Sequence, residues 1–429
     1  MKIQNVKGGY DYTPQEQRIR NYINDTLRSI FERFGYNPIE TPILCYYDIL
    51  SDKYDDDADI LKEIYKLKDQ GNRELGLRYD LTVPFAKFIA LNKNELKMPF
   101  KRYEIAKAFR DGPVKAGRDR EFTQCDVDVV GIGGELIEAE LLSIFDLAFK
   151  ELNISIVIKY NNRKFMTGII LESGAKEEDV ASITTTLDKL EKVSEEEIVD
   201  ALLKQGLSRK DIQELLTNFK LSLEELSEKY ANTSNELIKN GLEEINSLTN
   251  YLDNLGLLNV CRFTPSLARG QNYYTGNVFE VYDADAYITS SIGAGGRYDK
   301  MITNFIDDGN SYPAVGISFG LSALYEILKK RADFSEKSNI DFYVIPMNTK
   351  IESLRLANIL RKMDYKVDIE VMDRKVKKSI AYADKEKIPY VIILGEDEIN
   401  NGKFKIKDML QQKEIEISFE DIEKIREII

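Results

Sequence analysis

The densest run of chemistry-bearing side chains lies between Arg110 and Val130, where Arg110, Arg118 and Arg120 lead into Glu121-Phe122-Thr123-Gln124-Cys125-Asp126-Val127-Asp128-Val129-Val130. A period of two places Arg120, Gln124, Asp126 and Asp128 on one face and Cys125, Val127 and Val129 on the other. Pattern alone describes a half-buried antiparallel strand whose polar face meets solvent. The three arginines shift the balance, because planar guanidiniums grip phosphate and carboxylate with paired donors, and such a cluster suits a nucleotide. A second group runs from Ser266 through Arg269-Gly270-Gln271-Asn272-Tyr273-Tyr274-Thr275-Gly276, followed by Gly293-Ala294-Gly295-Gly296-Arg297-Tyr298-Asp299. Glycines beside arginine and tyrosine let a backbone approach a ligand closely, although they equally permit turns. The glycine-rich pattern ending in Gly-Lys-Ser/Thr does not occur, so a P-loop is not supported. A third cluster, Arg374-Lys375-Val376-Lys377-Lys378, is ordinarily a solvated helix face; in a domain that touches RNA it is a phosphate contact.

The chain of 429 residues contains no histidine. A histidine general base, a Ser-His-Asp triad and a histidine-ligated metal are therefore excluded, and acid–base work falls to other groups. Cys45, Cys125 and Cys261 are far apart and form no C-x-x-C pair, so neither a zinc site nor a disulfide framework is indicated; they read as buried, inert thiols. Hydrophobic residues at 43% and charged residues at 31% describe a soluble globular protein. No apolar run approaches the roughly 20 residues of a spanning helix, and the start of the chain lacks a secretory core, so a cytoplasmic location with no membrane partner is expected. A net charge of −13 argues against tight, sequence-independent nucleic-acid binding but leaves room for a local basic surface.

The elements that must position these groups are legible in outline. Thr13-Pro14-Gln15-Glu16 reads as a capping box opening a helix through Ile19, Tyr22, Ile23, Ile30 and Phe34, closed by Gly35. A strand ending at Pro42-Ile43-Leu44 comes next. Ile64–Leu67 and Leu75–Arg78 then form an antiparallel hairpin around Asp69-Gln70-Gly71-Asn72. From about Lys176 to Leu258 the pattern is helical, with cap signals at Ser194, Ser208 and Ser222. Asn277–Tyr282 resumes strand character, and Pro313–Leu328 runs from strand into helix. After a charged linker at Arg331–Asn339, strands Asp341–Pro346, Lys366–Glu370 and Pro389–Leu394 alternate with helices Ile351–Met363 and Lys375–Lys385. A hairpin and a last helix follow, implying a small α/β domain.

Together these stretches resemble the histidyl-tRNA synthetase family of class II, nearly end to end. Gly35–Leu44 resembles motif 1, with Pro42 at the motif's dimer-interface proline, and Phe109 through Gly131 resembles motif 2. Arg269–Gly276 and Gly295–Asp299 resemble the two family signatures. Arg78–Thr82 and Gln124–Asp126 are worded more like the eukaryotic and archaeal branch. The resemblance implies a mixed α/β (α+β) fold. Residues 1–330 would form a class II antiparallel-sheet catalytic core with a helical insertion at about 170–258, and 340–429 an anticodon-binding-like α/β domain. It further implies ATP as substrate with Mg2+, histidine and tRNA(His) as partners, and a homodimer. Carried over by position, Asp80, Thr82 and Gln124 would hold the amino and carboxyl ends of histidine, and Asp128, Tyr273 and Tyr274 would line the imidazole site. Arg110 and Arg269 would be catalytic, holding the ATP α-phosphate and amino-acid carboxylate, with Arg118 and Arg120 as further ATP contacts and no protein-held metal.

Two departures stand out against the family. Pro313–Leu324 resembles motif 3, but Ser322 and Ala323 stand where the family has Glu-Arg. Loss of that guanidinium–phosphate contact would cost roughly 1.5–3 kcal/mol unless another cation substitutes. Gln271-Asn272 also replaces the usual Leu-Asp of the first signature. The altered motif 3 keeps a second function open, a non-charging paralogue that binds histidine and regulates its biosynthesis. The C-terminal domain favours the ligase. The absence of histidine has two readings, compositional drift or, for a ligase that charges histidine, a chain that can be synthesised during histidine starvation.

Overall fold

In the computed structural model, which describes residues 2–51, 59–115, 117–190, 193–268, 273–331 and 338–428, the first helix spans Pro14–Arg33. Thr13 and Glu16 form the capping box that the sequence predicts, and Gly35 follows at φ 78°. Contacts divide the chain into two units, Met1–Leu328 and Lys329–Ile429.

The strands of the first unit are β1 (Asn37–Pro38), β2 (Leu44–Tyr46), β3 (Lys66–Lys68), β4 (Glu74–Leu77), β5 (Phe100–Phe109), β6 (Glu121–Val130), β7 (Ile156–Asn162), β8 (Cys261–Phe263), β9 (Asn277–Asp283), β10 (Gly293–Arg297) and β11 (Ala314–Gly320). Eight of them form one sheet in the order β1-β5-β6-β11-β10-β9-β7-β8. Its outer pairs β1–β5 and β7–β8 are parallel and the rest are antiparallel. The helices Pro14–Arg33 and Glu135–Glu151 pack over one face, against β6 and β11 respectively. Aromatic rings fill that layer, with Phe145 and Phe319 4.7 Å apart and Phe31 and Tyr103 5.5 Å apart. The opposite face, covered at one end by the helices Thr82–Asn92 and Asp299–Ile306, builds the site.

The strand expected to end at Leu44 instead begins there. Two short strands, β1 and β2, flank Glu40-Thr41-Pro42, and Pro42 has no N–H to continue a ladder. The hairpin of β3 and β4 forms as read, with Asp69 Oδ1 accepting from the backbone N–H groups of Gly71 and Arg73, both at 2.9 Å. In the helical stretch, Ser194, Ser208 and Ser222 each cap a helix by accepting from the N–H three residues on.

In the second unit, β12 (Phe342–Pro346), β13 (Val367–Ile369), β14 (Tyr390–Leu394), β15 (Lys403–Asp408) and β16 (Lys413–Ser418) take the order β13-β12-β14-β15-β16. β12 runs parallel to β13 and β14, and the remaining pairs are antiparallel. Phe342, Val344, Leu356, Leu360, Ile392 and Phe404 share its core. A helix at Glu396–Asn401, closed by Gly402 at φ 68°, was not legible in the sequence because it is short and buries no side chain. Among the described residues, no helix is long and apolar enough to cross a membrane. The three cysteines are buried and free, and burial pushes each thiol upward, Cys261 to about 12.

Candidate active site

The opposite face of the large sheet holds a cavity of about 560 Å³ beside these helices. Asp80, Thr82, Arg110, Arg118, Gln124, Asp128, Tyr273 and Tyr274 all line it, although the sequence spreads them over nearly 200 positions. Arg120 does not line it; its guanidinium turns away to Asp111 at 3.0 Å and to the Gly112 carbonyl at 3.3 Å. Arg269 lies outside the described residues.

Strand β6 supplies the floor. Its alternation is as read, but the polar face is not solvated: Asp126 and Asp128 are both buried, because β5 and β11 flank the strand and the cavity walls rise over it. A strand that is central in its sheet and roofed by loops loses the water that an edge strand would keep. Asp126 sits beside Ser318, across from it on β11, and Gln124 Nε2 donates to Ser318 Oγ at 3.3 Å. Gln124 Oε1 is buried without a protein donor, an acceptor that a ligand N–H would satisfy.

Asp128 is held from three sides. Tyr298 donates its hydroxyl to Oδ1 at 2.5 Å, and Arg102, opposite on β5, brings a guanidinium nitrogen 2.6 Å from Oδ2. On β11 its register partner is Gly316, where a Cβ would lie only 1.8 Å from Oδ1, so the carboxylate can occupy this place only over a glycine. Burial raises the Asp128 carboxyl above its ordinary range, with Arg102 and the Tyr298 hydroxyl opposing the rise. Tyr298 is itself pushed well upward, by burial first and the Asp128 charge second, and so stays a donor.

At the entrance to the helix Thr82–Asn92, the buried Asp80 accepts from the Val83 N–H at 3.1 Å, which places Thr82 at the cavity wall. Arg110 donates through Nε to the Tyr79 carbonyl at 3.0 Å and lies 5.0 Å over the Phe122 ring, fixing its fork beside Asp80. Arg118 is half exposed and pairs with Glu63 at 3.2 Å. Tyr273 and Tyr274 pack ring on ring at 4.6 Å, and Tyr273 meets Tyr298 edge-on at 6.1 Å.

A buried polar chain joins the two glycine-rich stretches. Arg297 donates to Glu138 Oε1 at 2.5 Å, to the Gly134 carbonyl at 2.8 Å and to Asp299 at 3.1 Å. Its own carbonyl accepts from the Thr275 N–H at 2.8 Å, and Thr275 Oγ1 accepts from the Asp299 N–H at 3.0 Å. Burial lifts Glu138 to about 7 against the pull of Arg297 and Asn277. Tyr298 is thereby anchored on both flanks. The sequence pattern gave Tyr298 no role and did not single out Arg102. The signal for Arg102 was its alternation with Glu104, two opposite charges on one face of the strand Phe100-Lys101-Arg102-Tyr103-Glu104-Ile105.

Where motif 3 was expected, Ser322 donates to Asp119 Oδ2 at 2.8 Å and Ala323 is buried. Gly117, at φ 73°, lies beside Ala323, where a Cβ would make ordinary van der Waals contact with the alanine at 3.6 Å. In the second unit Arg374 pairs with Glu370 at 3.4 Å and stacks 4.7 Å over Tyr382, whereas Lys375, Lys377 and Lys378 are exposed.

The chain matches the family model for histidyl-tRNA synthetase over residues 8–324 and that for an anticodon binding domain over 341–427. It is 43% identical to the histidine–tRNA ligase 1 of Bacillus cereus, over 99% of both chains. It is 40% identical to the histidine–tRNA ligase 2 of Shouchella clausii, over 97% of this chain and 98% of that one. The crystal structure of histidyl-tRNA synthetase from Nostoc sp. PCC 7120 superposes with a TM-score of 0.87 at 29% identity, covering both chains completely. With the antiparallel sheet, the C-terminal unit and near-complete coverage in agreement, the chain belongs to the histidyl-tRNA synthetase family.

Proposed function

We propose that the chain is an ATP-dependent aminoacyl-tRNA ligase that activates histidine as histidyl-adenylate and transfers it to tRNA(His). The observation that carries this is the convergence of Asp80, Thr82, Arg110, Gln124, Asp128, Tyr273 and Tyr274 on one cavity in a chain of this family. Asp80, Thr82 and Gln124 hold the α-amino and carboxyl ends of histidine. A neutral imidazole offers one donor and one acceptor, so Asp128 on one side and the Tyr274 phenol on the other satisfy both and reject side chains that cannot reply. Tyr298 joins them by fixing one oxygen of Asp128.

Arg110 grips the α-phosphate and the amino-acid carboxylate, and Arg269 is assigned the same work by its place in the family signature. The carboxylate attacks the α-phosphorus and pyrophosphate leaves; no protein base is needed, since positioning and charge stabilisation carry phosphoryl chemistry. Mg2+ enters with ATP as substrate and neutralises the leaving pyrophosphate. Arg118 reaches the triphosphate by exchanging Glu63 for it, whereas Arg120 needs a larger rearrangement to contact ATP at all.

Ser322 and Ala323 leave motif 3 without its cation, which is the observation behind a second function, a regulator that binds histidine without charging tRNA. The anticodon-type second unit favours the ligase. Histidine-dependent ATP–pyrophosphate exchange by purified protein separates the two. Exchange abolished by Arg269→Ala is expected; histidine binding with no exchange would leave only the regulator.

The protein works in the cytoplasm as a homodimer. Pro42 supports this by its place in motif 1, and exposed Leu44, Tyr46 and Leu67 lie on the adjoining small sheet, with exposed Ile43 just before it. Residues 1–330 serve as catalytic core, 170–258 as insertion and 340–429 as the tRNA-reading domain, where Lys375, Lys377 and Lys378 are available to phosphate. The wording of Arg78–Thr82 and Gln124–Asp126 supports a core on the eukaryotic and archaeal side of the family, even though the relatives above are bacterial. A chain without histidine can also be made when histidine runs out. Pulse-labelling in starved cells tests this, and synthesis that stops along with bulk protein would sink it.

A further inference from the structure

Arg102 does not line the cavity, yet it stands directly opposite Asp128 in the β5–β6 register. Its guanidinium is fully buried, 4.3 Å over the Phe85 ring, with one nitrogen 2.6 Å from Asp128 Oδ2. The N–H directions miss the carboxylate, so none of the guanidinium nitrogens makes an aligned hydrogen bond. Its hold on Asp128 is therefore charge on charge in a dry interior. Glu104 is 3.7 Å away, but Arg78 at 3.1 Å and the Thr41 N–H and hydroxyl at 2.9 Å already engage that carboxylate. The charge of Arg102 acts on Asp128 first and on Asp126 second.

A buried ion pair is weak evidence for stability, since apolar residues of similar volume often replace one without loss. A guanidinium that is buried and poorly hydrogen-bonded calls for another reason to be there. We propose that Arg102 is a positioning residue for histidine selection, its charge keeping Asp128 ionised and turned so that a ring N–H of the bound imidazole meets an anionic acceptor. This deepens the ligase function above and rests on the imidazole-binding role given there to Asp128. A protonated Asp128 would present a hydroxyl donor in place of one acceptor lone pair, and the discrimination between donor and acceptor edges of the ring would blur. The groups facing Asp128 agree with this assignment. Burial raises its carboxyl and Arg102 is the largest opposing influence, ahead of Tyr298, while Glu104 pushes upward. Asp126 on the same strand and Tyr36 ahead of β1 also feel its charge.

Two substitutions separate charge from packing. Arg102→Met keeps an apolar contact over Phe85 without charge, and Arg102→Lys keeps the charge. In ATP–pyrophosphate exchange, Arg102→Met is expected to raise the histidine KM about tenfold or more at neutral pH, as when no more than about a tenth of Asp128 stays ionised. Relative to wild type, that KM should recover as pH rises and Asp128 ionises again. The ATP KM should stay within about twofold and Arg102→Lys should restore most of the loss, since charge is what matters. A histidine KM raised equally at all pH values, or raised in step with the ATP KM, overturns the proposal and leaves a merely structural residue.

Should Arg102→Met not fold, the double variant Arg102→Met/Asp128→Asn removes both charges together and avoids an unpaired one. The infrared difference between wild type and this variant then reports Asp128 directly. An ionised-carboxylate band at neutral pH is expected, and a carboxylic-acid band overturns the proposal. If wild type binds histidine but performs no exchange, the ligase function fails instead. The histidine affinities of the same variants, measured calorimetrically across pH, still decide the role of Arg102.

Discussion

The two ends of the cavity are built by opposite means. At the Asp128 end every partner is buried and fixed: Tyr298 and Arg102 hold the carboxylate, Gly316 makes room for it, and the Arg297 chain anchors Tyr298. At the arginine end, Arg118 is half exposed and held by one carboxylate, Glu63, across 3.2 Å. The difference fits the ligands proposed above for each end. A small rigid ring is told from its rivals by donors and acceptors that cannot move, in a place without water. A triphosphate is flexible and highly charged, and long arginines that can trade a surface partner serve it well, because such a pair is worth only about 0–1 kcal/mol.

The strongest way to break this contrast is Asp128→Asn, which keeps the shape and removes the charge. Histidine KM should rise about a hundredfold or more while ATP KM holds. The stranded Arg102 should lower unfolding free energy by roughly 3–5 kcal/mol in denaturant titration. A variant of unchanged stability would mean that the pair is not the charge contact described. Next comes Arg110→Ala, for which the exchange rate should drop on the order of a hundredfold with little change in melting temperature. A loss confined to histidine KM would move Arg110 out of the catalytic role.

Asp126 sharpens the comparison through pH. Burial lifts its carboxyl to about 8, with Arg102 opposing and Asp128 adding to the rise. The folded state therefore binds a proton that the unfolded chain releases above about pH 4, and Asp126 by itself takes stability from wild type as pH rises between about 4 and 8, then no further. Asp126→Asn has no such dependence, so its stability relative to wild type should climb across that window and level off beyond it. Parallel stability–pH curves for the two proteins would contradict a buried, protonated Asp126. The smallest effect is expected of Arg118→Ala, a rise of about fivefold or less in ATP KM that shrinks as salt is added, with the fold untouched. An effect as large as that of Arg110→Ala would show that the exposed end depends on each arginine as heavily as the buried end depends on Asp128.

Much of this was legible beforehand. Thr13, Ser194, Ser208 and Ser222 cap helices as read, because capping depends only on a side chain and the three residues after it. The alternation of β6 was correct, but the pattern alone describes its polar face as solvated, and only the neighbouring arginines and the resemblance point it at a ligand. Whether a strand is central or at an edge is decided by segments distant in sequence, here β5 and β11. Arg120 shares the parity of Gln124 yet points to Asp111, since it precedes the strand and the period of two does not bind it.

The sequence by itself determined the local elements, the order of the two units and, through resemblance, most of the residue types that line the cavity. Those depend on neighbours in the chain and on motifs written in contiguous residues. Only the tertiary structure decided that Arg102 stands behind Asp128, that Tyr298 closes on its other oxygen, and that Gly117 lies over Ala323. Each of these is a meeting of segments separated by 26 to more than 200 positions, and the charge state of a buried carboxylate depends on what meets it, not on what precedes it.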